Sequence, residues 1–211
     1  MKSLRKICAV CAACLVTAAL PEVSLADTYS DVYEYDSYYT AVNRLSDLGI
    51  VSGYGDGTFH GDYSITRAEF AKLIVCAMDA ESEARAYGIS SKFYDVPQGN
   101  WAVPYIAYVA SKGIVSGYPD GSFGPANTIT YAEALTILGR ILGYTEETIG
   151  AYWPTNYIDA AESLGLTKDL IVQPYAPINR AVAAVVIDRA LFTRTSKAAG
   201  DKLLFENYGY T

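Results

Sequence analysis

The sequence predicts a mostly α-helical fold built from three helix-loop-helix repeats, on three observations. The string Gly-Ile-Val-Ser-Gly-Tyr occurs twice, at 49–54 and 113–118, and a single offset of 64 residues aligns 31–69 with 95–133 without a gap, at 15 identical positions of 39. A worn third copy follows at an offset of 52, which places Trp153 under Trp101 and Gly165 under Gly113, and then at 49, which places Ile178 under Ile129. Apolar residues recur at three-and-four spacing in every copy. Repeats of this period are one supersecondary unit copied and stacked, each copy too small to bury its own apolar face.

The first helix of each copy ends on glycine. Ala41, Val42, Leu45 and Leu48 run up to Gly49, and Trp101, Ile106, Val109 and Lys112 run up to Gly113, with Pro104 in the first turn. That is an amphipathic helix with its C-terminal stop. A loop follows, Gly53-Tyr54-Gly55-Asp56-Gly57-Thr58-Phe59 in copy one and Gly117-Tyr118-Pro119-Asp120-Gly121-Ser122-Phe123 in copy two. Proline sets one torsion, Asp bonds backbone amides ahead of it, and Gly accepts positive φ, so the segment is a turn, with flanking aromatics to pin it to the core. Copy three has a loop three residues shorter and lacks the glycine turn.

The second helix opens on Thr66-Arg67-Ala68-Glu69 and Thr130-Tyr131-Ala132-Glu133. Each is a capping box, in which threonine and glutamate satisfy one another's backbone amides, worth roughly 1 kcal/mol. Behind the caps run Phe70, Leu73, Ile74 and Ala77, then Ala134, Ile137, Leu138 and Ile141, then Ala183, Val186, Ile187 and Ala190. Three equivalent stripes imply a shared axis. The spacers 80–92 and 145–152 are polar enough for surface connectors, with helical character over 80–87, and the mixed tail from Thr195 onward gives no element. Cys76 falls on an apolar stripe and reads as a small buried hydrophobe.

Residues 1–26 read as a secretory signal: Lys2, Arg5 and Lys6, an uncharged stretch at 7–20, then small residues Ser24 and Ala26 at cleavage-like spacing. A lipidated Cys14 is the alternative reading of the same segment. Fourteen residues are too few to span a bilayer comfortably, and no later apolar run reaches 18, so an exported, soluble chain is expected. Beyond residue 26 Cys76 is the only cysteine, which excludes an intramolecular disulfide framework. The same part carries 13 Lys and Arg against 22 Asp and Glu, a net charge near −9 that excludes charge-driven nucleic-acid binding. The expected organisation is a signal peptide at 1–26, units at 27–79, 93–144 and 153–195, linkers at 80–92 and 145–152, and a tail at 196–211.

Enzyme signals are missing. His60 is the only histidine and sits in a loop with no serine or cysteine motif beside it, so no nucleophilic triad or zinc site is expected. Neither a phosphate loop nor a calcium-loop spacing occurs. The expectation is a non-enzyme with no catalytic residue, metal or cofactor.

Taken together, the aromatic-x-Asp-Val openings at 29–32 and 93–96, the Trp-Ala helix start, the Gly-Ile-Val-Ser-Gly-Tyr-x-Asp-Gly-x-Phe loop and the Thr-Arg-Ala-Glu cap resemble the S-layer homology family over roughly 29–193. The resemblance implies a pseudo-threefold trefoil of three modules, the third degenerate. It further implies noncovalent binding of cell-wall polysaccharide, often through pyruvylated sugars, in grooves between modules. No copy is complete: Ser37 stands where copy two has Trp101, Tyr131 replaces the cap arginine, and Val182 breaks the third box.

On this resemblance Arg67 and Arg180 are ligand candidates. Each stands in the first turn of a helix, where unpaired amides and the macrodipole already make the potential positive, so the arginine costs stability until an anion arrives. A pyruvyl carboxylate fits bidentate guanidinium recognition. The alternative is an intramolecular ion pair. Trp101 and Trp153 are candidates for stacking on sugar faces or for core packing. Gly53 and Gly117 are candidates for letting the backbone approach a sugar, or for αL turn geometry alone. Asp31 and Asp95 are candidates for ligand contact or for turn stabilisation. The partners expected are a cell-wall glycan and, on a second reading in which glycan recognition is lost, surface-layer proteins.

Overall fold

The computed structural model describes residues 28–87 and 90–208, and the expected export segment lies outside them. Three helix pairs carry the architecture: α1 (Tyr39–Asp47) with α2 (Arg67–Ala77), α4 (Val103–Ser111) with α5 (Tyr131–Ile141), and α7 (Thr155–Ser163) with α8 (Arg180–Leu191). Two shorter helices, α3 (Glu81–Tyr87) and α6 (Glu146–Ile149), join them. The chain is mostly helical, as the periodicity predicts.

Packing is cyclic. The second helix of each unit lies against the first helix of the next: α2 on α4, α5 on α7, and α8 back on α1. At the centre three isoleucines close a ring of main-chain hydrogen bonds. Ile129 N–H donates to Ile65 O at 3.0 Å, Ile178 N–H to Ile129 O at 3.0 Å, and Ile65 N–H to Ile178 O at 3.4 Å. Single bridges Ser64–Asn179, Thr66–Thr128 and Thr130–Pro177 flank it. All three side chains are buried. No unit makes this arrangement alone, because each supplies one donor and one acceptor of a ring that needs three.

Local sequence fixes the helix ends. Both capping boxes form, Thr66 with Glu69 and Thr130 with Glu133, and Asn179 caps α8 by accepting from Val182 N–H at 2.9 Å. The stops Gly49, Gly113 and Gly165 have φ of 70°, 72° and 75°, a left-handed turn that glycine adopts without a Cβ penalty.

The first spacer does more than connect. Ala84 is fully buried, and Tyr105 and Tyr108 on α4 donate to Glu81 and Glu83 on α3 at 2.9 and 2.8 Å. The tail has a place as well. Thr195 and Ser196 bond back to Lys202 O and Leu142 O, Leu204 is buried, and Phe205 packs on Phe192, whose ring lies beneath the Arg44 guanidinium. Arg44 also pairs with Asp188 at 3.2 Å, tying α1 to α8. None of this long-range pairing has a local sequence signal.

Candidate functional site

The loop between the helices of each unit is held from within its own unit. Asp31 accepts from the amides of Phe59 and His60, both at 2.7 Å, and Asp95 from those of Phe123 and Gly124 at 2.8 and 2.7 Å. Each aspartate thus spends both carboxylate oxygens on fixing the loop, and neither lines the clefts described below. Phe59 and Phe123 are buried and pack against Tyr29 and Phe93. The loop backbone comes so near these rings that a Cβ on Gly53 would lie 2.3 Å from Tyr29, and one on Gly117 2.3 Å from Phe93. Gly117 also has φ +77°, but Gly53 does not have a left-handed φ, so αL geometry does not explain it. The close approach of the loop to the Tyr29 ring does.

Two clefts open between the units, and each is assembled from all three. Groove 1, about 250 Å³, is floored by the 50–54 loop, walled by Glu69, Lys72 and Leu73 of α2, and completed by Trp101 from unit two and Arg180 from unit three. Groove 2, about 300 Å³, repeats the plan one unit on: the 114–119 loop, then Glu133, Thr136, Ile137 and Arg140 of α5, then Trp153 from unit three and Arg67 from unit one. Arg180, Trp101 and Gly53 therefore meet in one cleft, and Arg67, Trp153 and Gly117 in the other. Both indoles are about half exposed rather than core residues. Trp153 Nε1 donates to Thr136 Oγ1 at 2.9 Å, which orients its ring.

The helix starts are not the open electropositive ends expected. The amides of Arg67, Tyr131 and Arg180 donate to the carbonyls of Asn127, Ala176 and Tyr63, and the following amides of Ala68, Ala132 and Ala181 to those of Pro125, Pro174 and Gly61. Each helix N-terminus is consumed by the loop of another unit. At these helix starts the positive charge available to a ligand is the arginine side chain, not the helix end.

The two arginines differ. Arg67 Nη1 lies 2.7 Å from Glu133 Oε1, its Nε donates to Phe123 O at 2.8 Å, and its side chain is only 7% exposed. Its guanidinium stacks over Tyr118 and Phe123. Arg180 has the same aromatic sandwich, Tyr54 and Phe59, and donates to Phe59 O and Ser52 O, both at 2.9 Å. Among the described residues no carboxylate stands within ion-pair distance of Arg180. Arg67 thus realises the intramolecular pair, with the capping Glu133 of unit two rather than a loop aspartate, and Arg180 keeps its charge toward the cleft.

Lys72 and Arg140 extend the positive lining of their grooves, and sequence reasoning missed both. Arg140 pairs with Glu146 at 3.2 Å and bonds Tyr157 Oη and Ile114 O. A signal existed: Arg140 and Arg189 stand at equivalent positions of α5 and α8, where α2 has Cys76. Burial pushes the Tyr118 phenol up, with Arg67 opposing and Glu133 adding, so Tyr118 donates to Glu133 as a neutral phenol. Cys76 is buried, and desolvation raises its thiol. Tyr131 in unit two takes the place of the arginine, and Val182 in unit three that of the glutamate. Among the described residues no group of three or more His, Cys, Asp or Glu is placed to hold a metal ion, and no helix is long and apolar enough to cross a membrane.

Comparison with known proteins agrees with this geometry. Residues 28–71 and 92–135 match the S-layer homology domain, each segment running from the loop-fixing aspartate through the cap. The middle cell wall protein of Brevibacillus brevis is 39% identical over 150 residues, 71% of this chain and 14% of that protein. A cell surface protein of Thermoanaerobacter kivui is 34% identical over 194 residues, 90% of this chain and 25% of that protein. A cellulosome-anchoring protein of Acetivibrio thermocellus is 30% identical over 148 residues, 65% of this chain and 32% of that protein. The chain spans a third or less of the length of these curated relatives. Two of its segments, residues 28–71 and 92–135, are thus similar to the S-layer homology domain.

Proposed function

We propose that this chain is a noncovalent envelope anchor whose inter-unit grooves hold an anionic cell-wall polysaccharide, with a pyruvylated sugar as the anionic unit. One observation carries the reading: the same three-unit groove, with a loop floor, a half-exposed tryptophan and a stacked arginine, is built twice. In groove 1 the carboxylate meets Arg180 and Lys72 while the sugar face lies on Trp101. A charge-assisted hydrogen bond there contributes roughly 1.5–3 kcal/mol, so one groove binds modestly and two grooves on one polymer gain by avidity. The net charge near −9 does not prevent this, because fields are screened beyond about 8 Å at physiological salt. The names of the relatives, which include cell-wall, cell-surface and anchoring proteins, support the same role and a location at the envelope surface. Residues 153–195 serve as a third, degenerate module, and residues 1–26 as the export signal.

Co-sedimentation with purified wall sacculi, before and after chemical removal of pyruvyl groups, tests the reading. Binding that falls by tenfold or more after removal supports it. The second reading, an assembly module of a surface layer that has lost glycan recognition, draws on the internal neutralisation of Arg67. Binding indifferent to depyruvylation favours it.

A further inference from the structure

We infer that groove 1 continues past Trp101 to hold a second sugar of the same polymer, whereas groove 2 ends at Trp153. The inference rests on the glycan reading above and concerns the length of chain each groove takes. Beside groove 1 lies a further cleft of about 250 Å³, lined by Asn100, Thr66, Pro125 and Ala126, and Trp101 and Glu69 line both. The Trp101 indole, 55% exposed, is their common wall. A sugar held against it in groove 1 has its next linkage facing this second cleft. There Asn100, Thr66 and Glu69 offer the polar edge that ring hydroxyls need, and Pro125 and Ala126 the apolar one.

Groove 2 carries a larger side chain at the corresponding place. The main-chain bonds fix the correspondence: Ala68 N–H donates to Pro125 O and Ala132 N–H to Pro174 O, while Arg67 N–H donates to Asn127 O and Tyr131 N–H to Ala176 O. The residue between these acceptors is Ala126 beside groove 1 and Tyr175 beside groove 2. The Tyr175 ring stands edge-on to Trp153 with centroids 6.4 Å apart, where groove 1 has only the Ala126 methyl. Tyr175 in place of Ala126, beside Tyr152 in place of Asn100, thus sets the two ends apart.

The test uses acidic oligosaccharides cut from purified wall polymer, fractionated by length from one to four sugars, and calorimetry on the full chain. Trp153→Ala isolates groove 1 and Trp101→Ala isolates groove 2. In the first background affinity rises tenfold or more from one sugar to two or three, and adding Ala126→Tyr abolishes that rise. In the second, affinity is flat with length, and adding Tyr175→Ala creates a rise. Ala126 and Tyr175 are both exposed, so neither change threatens the fold. Affinity independent of length in groove 1, or a rise that survives Ala126→Tyr, overturns the inference and leaves the anchoring function standing. Failure of the unmodified chain to bind any fragment overturns the glycan reading and this inference with it.

Discussion

Arg67 Nη1 and Glu133 Oε1 lie 2.7 Å apart across the boundary between the first two units, with 7% and 17% of their side chains exposed. The other glutamate oxygen, Oε2, accepts from Thr130 and closes the capping box of α5. One carboxylate therefore ends a helix and fastens a neighbouring unit to it. Removing the arginine strands a partly buried negative charge, a change that typically costs a few kcal/mol. Arg67→Ala is expected to lower unfolding free energy by about 3 kcal/mol in chemical denaturation. A double-mutant cycle with Glu133→Gln should return a coupling above about 1 kcal/mol; additive losses would remove the pair from the account.

Gly53 and Gly117 are expected to resist substitution to different degrees. A Cβ at either position meets an aromatic ring at 2.3 Å, and at Gly117 it must also adopt φ +77°. Overpacking costs roughly 1–3 kcal/mol, and a non-glycine residue in this backbone region about 1 kcal/mol more. Gly117→Ala should thus be destabilised more than Gly53→Ala, and thermal unfolding of the two variants checks the order.

Two carboxylates should give pH dependences of opposite sign. The hydrogen bond from Arg85, and then that from Tyr105, holds the Glu81 carboxyl below its usual range. A depressed folded pKa stabilises above the unfolded value, and the gain is lost as pH falls through the folded one. Glu81→Gln should melt below the wild type at pH 7, with the gap closing as pH falls through the depressed folded value. At Asp188 burial raises the carboxyl despite Arg44 at 3.2 Å, so desolvation outweighs the ion pair. A raised folded pKa means stability declines as pH rises from the unfolded value to the folded one. Relative to Asp188→Asn, the wild type should lose stability as pH rises through the carboxylate range. Melting curves across pH for the three proteins would expose a wrong sign in either case.

Much of the fold was legible because its signals are local. A glycine stop, a capping box and a three-and-four stripe each fit within a dozen residues, and the repeat multiplies every one of them. The cyclic order of α2 on α4, α5 on α7 and α8 on α1 follows from equivalence once three stripes share an axis. The site was less legible, since its decisive contacts join residues far apart in the chain. Glu133 announces itself as a cap, and nothing local says that its second oxygen serves Arg67. The free amides inferred at the helix starts were taken by loops of other units, a pairing that exists only after assembly. Asp31 and Gly53 reveal their tasks only when the loop folds back over Tyr29 and Phe59.

Trp101 and Trp153 should separate the contributions of the grooves. Both are about half exposed, so alanine at either site is expected to leave the melting temperature nearly unchanged, while each lowers retention on wall sacculi by several-fold and the pair together by more than the product. Trp153→Ala also releases the Thr136 hydroxyl, which keeps its bond to Ala132 O. Sedimentation of the three variants against protein concentration checks this.

Arg180 is the most direct test, because its charge faces groove 1 with no carboxylate among the described residues within ion-pair distance, while its two main-chain hydrogen bonds are modest in energy. The measurement is the affinity of Arg180→Ala for soluble acidic wall fragments, set beside its unfolding free energy. Anion recognition by this guanidinium predicts a loss of ten- to a hundredfold in affinity, about 1.4–2.8 kcal/mol, with stability reduced by only about 1 kcal/mol. Unchanged affinity in a folded Arg180→Ala protein would contradict it.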